Sequence, residues 1–343
     1  VSYRTSAEVV LDSVTSYAEH QHFVGANDAA PTRLTSMYVV FPKMILGERN
    51  RHRGFSLSDR SSRAVPPEKL IAEVREDPAM PVKFRRRAKG MGGGEEMVGD
   101  ELAEAQERWK AQAYRAAHAA SWAAAAGEAK ETVNRRLDPY IRMHSLMTAT
   151  RYVWLNFFGL RLDEGADPTI QVLAQRCFEA YKDSVPKLLE PGEWHLPFVD
   201  YADRQHVTER ALNESLPIPG DVTSVHRAEG VLEVALKVMK RLSAARCAHL
   251  SYNDLETGRR MTVDRALAIY DRLVNSRPLH ASPCEHQATP DVWSDTYILD
   301  SGGDIDLGHW EYPEQHGNLY GWRQARKMLP GEAVAPLPEG YEL

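Results

Sequence analysis

Residues 51–63 read Arg51-His52-Arg53-Gly54-Phe55-Ser56-Leu57-Ser58-Asp59-Arg60-Ser61-Ser62-Arg63. Four Arg, four Ser and one His fall within these 13 residues. A guanidinium is a planar fork of donors that fits phosphate and carbonyl oxygens. Ser hydroxyls and exposed backbone N–H groups complement it. The wider polar stretch, residues 47–66, shows no core periodicity and lies between strongly patterned segments. A structureless run of that length inside a domain is a functional loop or a linker. The structured flanks favour a loop that binds an anion with many polar oxygens.

Working outward, residues 6–15 and Leu34 to Leu46 read as strands, with Pro42 at an edge. Pro66 starts a short helix. Asp100 is placed to cap a long helix ending before Gly127, with Leu102, Ala105, Trp109, Ala113, Ala116 and Ala120 on one face. A further helical region is expected over 129–161, broken near Pro139, with Arg135, Arg136, Arg142, His144, Arg151, Asn156 and Arg161 interleaved among apolar positions. Helices are also expected over 168–189, 229–248 and 263–274, the last capped by Thr262. Residues 83–99 (KFRRRAKGMGGGEEMVG) read as a mobile basic and glycine-rich insertion, 191–199 as a tight aromatic loop, and 290–343 as a loop-rich C-terminal extension. The pattern predicts a mixed α/β (α+β) fold, a β-sheet packed by long helices.

The chain has 343 residues, 43% hydrophobic and 26% charged, an ordinary globular composition. Its 42 Lys and Arg against 48 Asp and Glu give a net charge of −6, which excludes a generally basic nucleic-acid coat. No run approaches the ~20 apolar residues of a membrane span. Val1 to Val10 carries no apolar signal core, so a cytoplasmic location is expected. Cys177, Cys247 and Cys284 are too few and scattered for a disulfide framework. No C-x-x-C is present, so no structural zinc site is expected.

The 51–63 stretch resembles the signature of flavin-dependent thymidylate synthases, R-H-R-x-x-S-x-N-E-x-S-x-R. Arg51, His52, Arg53, Ser56, Ser61 and Arg63 match at full spacing. Ser58 stands where Asn is usual, and Asp59 where Glu is usual. SAARCAHLSY (243–252) and LHASPCEHQA (279–288) resemble two further segments of the family. In its short members both precede the R-H-R motif; here both follow it. The order of parts is that of a longer branch, to which SSRAVP, PGEWHLP and GNLYGWRQARK are also similar.

The resemblance implies a single catalytic domain over 1–343 with rearranged segments, and a homotetramer with shared active sites. It implies FAD as cofactor, methylenetetrahydrofolate as carbon donor and NADPH as reductant, for C5-methylation of a uracil nucleotide. By the same resemblance Glu48, Arg51, Ser61, Ser62, Arg63 and His144 fall at nucleotide-contacting positions. His52, Arg53, Asp59, Asn156, Ser251, His280 and Ser282 fall at flavin-contacting ones. Arg161, in WLNFFGLR, falls at the uracil reader, and with Ser61 makes the catalytic assignment. Ser61 acts there as a hydrogen-bond donor, not a nucleophile. A neutral His144 leaves phosphate affinity to Arg51 and Arg63.

Pro283-Cys284-Glu285-His286 resembles the Pro-Cys-His nucleophile segment of the cysteine-dependent thymidylate synthases, but the surrounding residues match the flavin family. His280, Cys284 and His286 fit no zinc spacing. KFRRRAK (83–89) is a short run for a nucleic-acid-binding protein, with Phe84 its sole aromatic. Relatives in nucleoside-antibiotic pathways methylate UMP, so the substrate is dUMP or UMP.

Overall fold

The computed structural model describes residues 4–16, 32–89, 93–214, 224–250, 261–275, 279–294, 309–333 and 340. In chain order the described elements are β1 (Ser6–Thr15), β2 (Arg33–Pro42), α1 (Leu46–Asn50), β3 (Ser56–Asp59), α2 (Pro67–Glu76), α3 (Gly99–Ala125), α4 (Lys130–Arg135), β4 (Arg142–Thr150), α5 (Arg151–Arg161), α6 (Pro168–Asp183) and β5 (Lys187–Leu189). They continue as α7 (Tyr201–Glu214), α8 (Ser224–Ala248), α9 (Val263–Val274), β6 (Ala288–Pro290), β7 (Trp293–Ser294), β8 (His309–Trp310) and β9 (Trp322–Gln324). The fold is mixed α/β. Its main sheet has the order β3-β4-β2-β1-β5, with β3–β4 antiparallel and β1–β5 parallel. Contacts divide the chain into two compact units: Val1–Val9 with Met37–Val185, and Val10–Ser36 with Pro186–Leu343.

The first unit holds the 51–63 stretch. Its core joins Met37, Val39 and Phe41 of β2, Met143 and Met147 of β4, and Trp154, Phe157 and Phe158 of α5. Ile170, Leu173, Ala174 and Tyr181 of α6 complete it. Trp154 stacks on Phe158 at 5.7 Å and meets Phe157 edge-on. Such pairs add about 0.5–1.5 kcal/mol each beyond their buried area. A second cluster packs α3 against α2: Ala113, Ala117, Ala120 and Ala123 are buried against Leu70, Ile71 and Val74. Small side chains let these helices approach closely.

In the second unit α7, α8 and α9 pack through Val207, Ala211, Ala235, Leu242, Ala266 and Ile269. Leu34, Leu189, Ala288, Leu319 and Trp322 form a separate core there. His195 is wholly buried, its two ring nitrogens each 2.8 Å from a hydroxyl, Ser13 Oγ and Ser36 Oγ. The loop-rich 290–343 segment contains β7, β8 and β9 among its described residues.

The structure corrects several sequence expectations. Residues 142–150 form strand β4, not part of a helix. They are buried almost throughout, as a strand deep in a sheet requires, and that reads in sequence like a buried helix. Helix α6 stops at Asp183, and residues 187–189 are a strand; Pro186 blocks helix continuation. Asp100 lies inside the first turn of α3, whose N-cap is Val98. An acidic side chain there still favours the helix dipole. Thr262 is at the N-cap of α9 but makes no side-chain capping bond. Within 83–99, Arg85 bridges Glu96 antiparallel, and Met97 N–H donates to Phe84 O.

Gly54 is constrained by space. A Cβ there would meet Val153 Cγ2 at 2.6 Å and Cγ1 at 3.0 Å. Val is stiff at χ1 and has little freedom to withdraw. Gly54→Ala is expected to destabilise the protein by roughly 1–3 kcal/mol, the usual overpacking range. Val153→Ala in the same chain should restore most of it, measured by urea unfolding.

Candidate functional site

The Arg-rich stretch is anchored at Phe55 by apolar contacts and on both sides by backbone hydrogen bonds. Phe55 packs edge-on against Trp154 at 4.7 Å and Phe157 at 5.7 Å. Downstream, β3 pairs with β4 in the register Ser56↔Thr148 to Asp59↔Ser145. Upstream, His52 N–H donates to Arg49 O, and Arg51 N–H to Glu48 O, closing the end of α1. The turn between carries the charged side chains.

His52 and Arg161 meet across this turn. Arg161 Nε donates to His52 Nε2 at 2.7 Å, and its Nη2 reaches Glu48 O at 3.4 Å. The first bond requires a neutral His52 with its proton on Nδ1. His52 is buried and edge-on to Phe157 at 5.0 Å. Burial, then the Arg161 charge, push its pKa down from 6.5 to about 4. Arg161 ends α5, and among the described residues its Nη1 has no partner. A fixed guanidinium with a free edge is suited to a carbonyl or oxyanion.

Arg51, Arg53 and Arg63 are exposed, and among the described residues none of them pairs with a carboxylate. The side chain of Ser61 accepts from Arg63 N–H at 3.2 Å. Ser62 O accepts from Asn134 Nδ2 at 2.7 Å, and Val65 O from the same group at 2.9 Å. Buried Asn134 therefore braces the Ser61–Arg63 loop, a role the sequence reading missed. A crevice of about 10 Å³, room for one water, lies between Lys43, Arg60, Ser61, Ser62 and Arg142. Glu48 is half-buried and Asn156 exposed on α5.

His144 lies on β4, its Nδ1 2.6 Å from Tyr38 Oη. Burial, followed by the charges of Arg60, Lys69 and Arg142, lowers its pKa to about 3. It is neutral at physiological pH, so the positive charge here belongs to the arginines.

Arg49 is a second residue the sequence reading passed over. Its side chain is fully buried, with Nη2 2.5 Å from Asp59 Oδ1 and its guanidinium 5.6 Å from the Phe41 ring centre. Among the described residues its Nε and Nη1 are buried without a partner. Desolvation lowers its pKa against the raising effect of Asp59. The signal was helical spacing: Arg49 follows buried Ile45 by four residues, on the same inward face.

His280 and Ser282 belong to the second unit and are both exposed. Ser251 lies outside the described residues. Cys284 is buried, and burial raises its thiol pKa to about 12. A groove of about 700 Å³ is lined by Ile71, Ala72 and Arg75 with Ser121 and Ala124, and contains none of the expected site residues. No described helix is long and apolar enough to cross a membrane.

The donor set of the His52–Arg161 bond and the exposed Arg51, Arg53 and Arg63 is chemically suited to phosphate and carbonyl oxygens. The family model for thymidylate synthase complementing proteins matches residues 32–187, the segment that holds it. Over that segment the chain is similar to that family. No curated protein sequence matches the chain. Among solved structures it is similar to thymidylate synthase X from Helicobacter pylori with FAD and dUMP, at 18% identity and TM-score 0.31, over 43% of this chain and 67% of that one. It is also similar to the UMP/dUMP methylase PolB from Streptomyces cacaoi bound with 5-Br UMP, at 14% identity and TM-score 0.40, over 52% of this chain and 88% of that one.

The His52 environment sets a pH dependence. An imidazole held below its ordinary pKa in the folded chain takes up a proton more readily when unfolded. Stability is therefore expected to fall as pH drops from about 6.5 towards about 4, and to be undiminished by this group above that window. By NMR the His52 ring should not titrate between pH 5 and 8 in wild type. In Arg161→Gln its pKa should rise, because one cause of the depression is gone.

Proposed function

We propose that this chain methylates C5 of the uracil ring in a nucleoside monophosphate, dUMP or UMP. FAD, methylenetetrahydrofolate and NADPH complete the reaction. The observation that carries this reading is the Arg161 guanidinium, held by His52 and Glu48 O with a free edge, in the segment matched by the family. The exposed Arg51 and Arg63 supply positive charge for a phosphate, and Arg53 for a second anionic group. The residues present fit a dianionic cofactor and a phosphorylated substrate.

One carbon leaves methylenetetrahydrofolate at the oxidation level of formaldehyde and ends as a methyl group. That change needs a hydride equivalent, and the C5 proton is lost. The flavin supplies the redox chemistry when bound. The chain's residues do the rest. Arg51 and Arg63 hold the phosphate. The Ser61 hydroxyl is free to turn its proton to a phosphate or sugar oxygen, since it accepts from Arg63 N–H. Arg161 donates to a uracil carbonyl and stabilises the negative charge that develops on the ring when it is activated as a nucleophile. Neutral His52 fixes the direction of that guanidinium without competing for the anion. Asp59, Asn156, His280 and Ser282, with Ser251, are assigned to flavin contact on the resemblance alone.

Exposed Leu155 and Leu160, 43% and 55% accessible on α5 next to Arg161, support self-association near the site, with a homotetramer the expected form. The nucleic-acid reading is disfavoured by the basic run's own pairing: Lys83 with Glu96, and Arg86 with Glu95 and Glu101.

The test is an assay of the purified chain with FAD, NADPH and methylenetetrahydrofolate, with dUMP and UMP in parallel and products read by mass. One added methyl group on either nucleotide is expected. Methylation of dUMP alone indicates a DNA-precursor enzyme, and efficient methylation of UMP a pathway making a 5-methyl ribonucleotide. No product on either, with flavin bound, would overturn the reading. Arg161→Ala is expected to lower turnover at least 100-fold, the scale of losing one oxyanion donor, while FAD still binds. Cys284→Ala should remain active, because a thiol with a pKa near 12 provides almost no thiolate at neutral pH.

A further inference from the structure

The second unit carries a cationic cluster that the function above does not use. Lys240 Nζ on α8 stands 4.2 Å from the centre of the Trp194 ring. Arg323 on β9 stands 3.8 Å from the centre of the Tyr312 ring. The two sites share one face of a small sheet. β6 pairs β9 with Thr289 opposite Arg323, and His195 bridges Ala288. Extending that bridge by one residue sets Trp194 beside Thr289, so Trp194, Thr289 and Arg323 lie in one row. Trp322, Gln324 and His195, the alternate residues, are buried on the other face.

How these cations are held matters. An ion pair spends the donors of a cation and cancels its charge. An aromatic face holds the cation by its quadrupole and leaves both largely intact. Among the described residues Lys240 has no hydrogen bond or carboxylate partner. Arg323 gives only its Nε, to Gln315 Oε1 at 2.9 Å. Burial and the nearby charges of Lys237 and Arg323 lower the Lys240 pKa, outweighing the raising effect of Glu233. Two half-buried cations close enough to repel each other, in a chain of net charge −6, are a local concentration of unspent positive charge. Elsewhere in the second unit buried Arg246 pairs with Asp203, and half-buried Arg326 with Glu285.

We propose that Lys240 and Arg323, set by Trp194 and Tyr312, form an oxyanion-binding site for a ligand with at least two negative charges, a phosphate ester or a polycarboxylate. The ammonium and the guanidinium fork donate to its oxygens, and binding relieves their mutual repulsion. The site is assigned independently of the 51–63 loop.

The experiment is calorimetric titration of the full chain with pyrophosphate and, separately, with glutamyl-glutamate. It is made in an Arg51→Ala/Arg63→Ala background so that the candidate nucleotide loop does not contribute. Saturable binding of at least one probe is expected, weakened tenfold or more by Lys240→Gln and by Arg323→Gln, and retained by Lys240→Arg. Stronger binding of pyrophosphate identifies a phosphate ester, and stronger binding of the dipeptide a carboxylate. Circular dichroism confirms that each variant is folded. No saturable binding of either probe, or binding unchanged in the Lys240→Gln/Arg323→Gln double variant, would overturn the proposal.

Discussion

A guanidinium donates to an imidazole only while the imidazole is neutral, and the candidate site is organised around that condition. His52 meets it because it is buried against Phe157 and because Arg161 itself opposes protonation. The pair is self-consistent: the cation keeps its acceptor neutral, and the neutral acceptor aims the cation. The backbone oxygen of Glu48 adds a second hold. What remains is one free edge of Arg161, facing a requirement the protein itself does not fill.

The rest of the first unit serves to bring α5 and the 48–63 turn together. Phe55 enters the same aromatic cluster as Trp154 and Phe157, so the loop and the helix are pinned by shared rings. Gly54 lets the chain pass Val153. β3 locks onto β4, Asp59 receives buried Arg49, and Asn134 braces the Ser61–Arg63 loop. A buried cation such as Arg49 costs desolvation, so it adds less to stability than to fixing one arrangement of Asp59 and α1.

Much of this was legible in the sequence. The α3 alanine stripe, the α9 pattern and the first strand read correctly; the second strand ends at Pro42, and the chain from Lys43 to Asn50 is a 3-10 turn followed by helix α1, while the stretch read as a loop also holds strand β3. Strand β4 was not legible, because a strand buried on both faces lacks the period-2 alternation that identifies one. His144 accordingly sits on a strand opposite Tyr38 and not on a helix face. Arg49 and Asn134 were hidden for a different reason: polar residues in an Arg-rich or helical context look solvated until tertiary contacts bury them. The Lys240 and Arg323 cluster was equally illegible, since its row is assembled from three separate chain segments.

The most direct test of the central assignment is an experimental structure of the flavin-loaded chain with a uracil nucleotide. The nucleotide phosphate is expected on Arg51 and Arg63, and a uracil carbonyl oxygen within hydrogen-bond distance of Arg161, with Arg161 Nε still on His52. A nucleotide bound elsewhere, or an Arg161 turned away from the ring with His52 protonated, would contradict it.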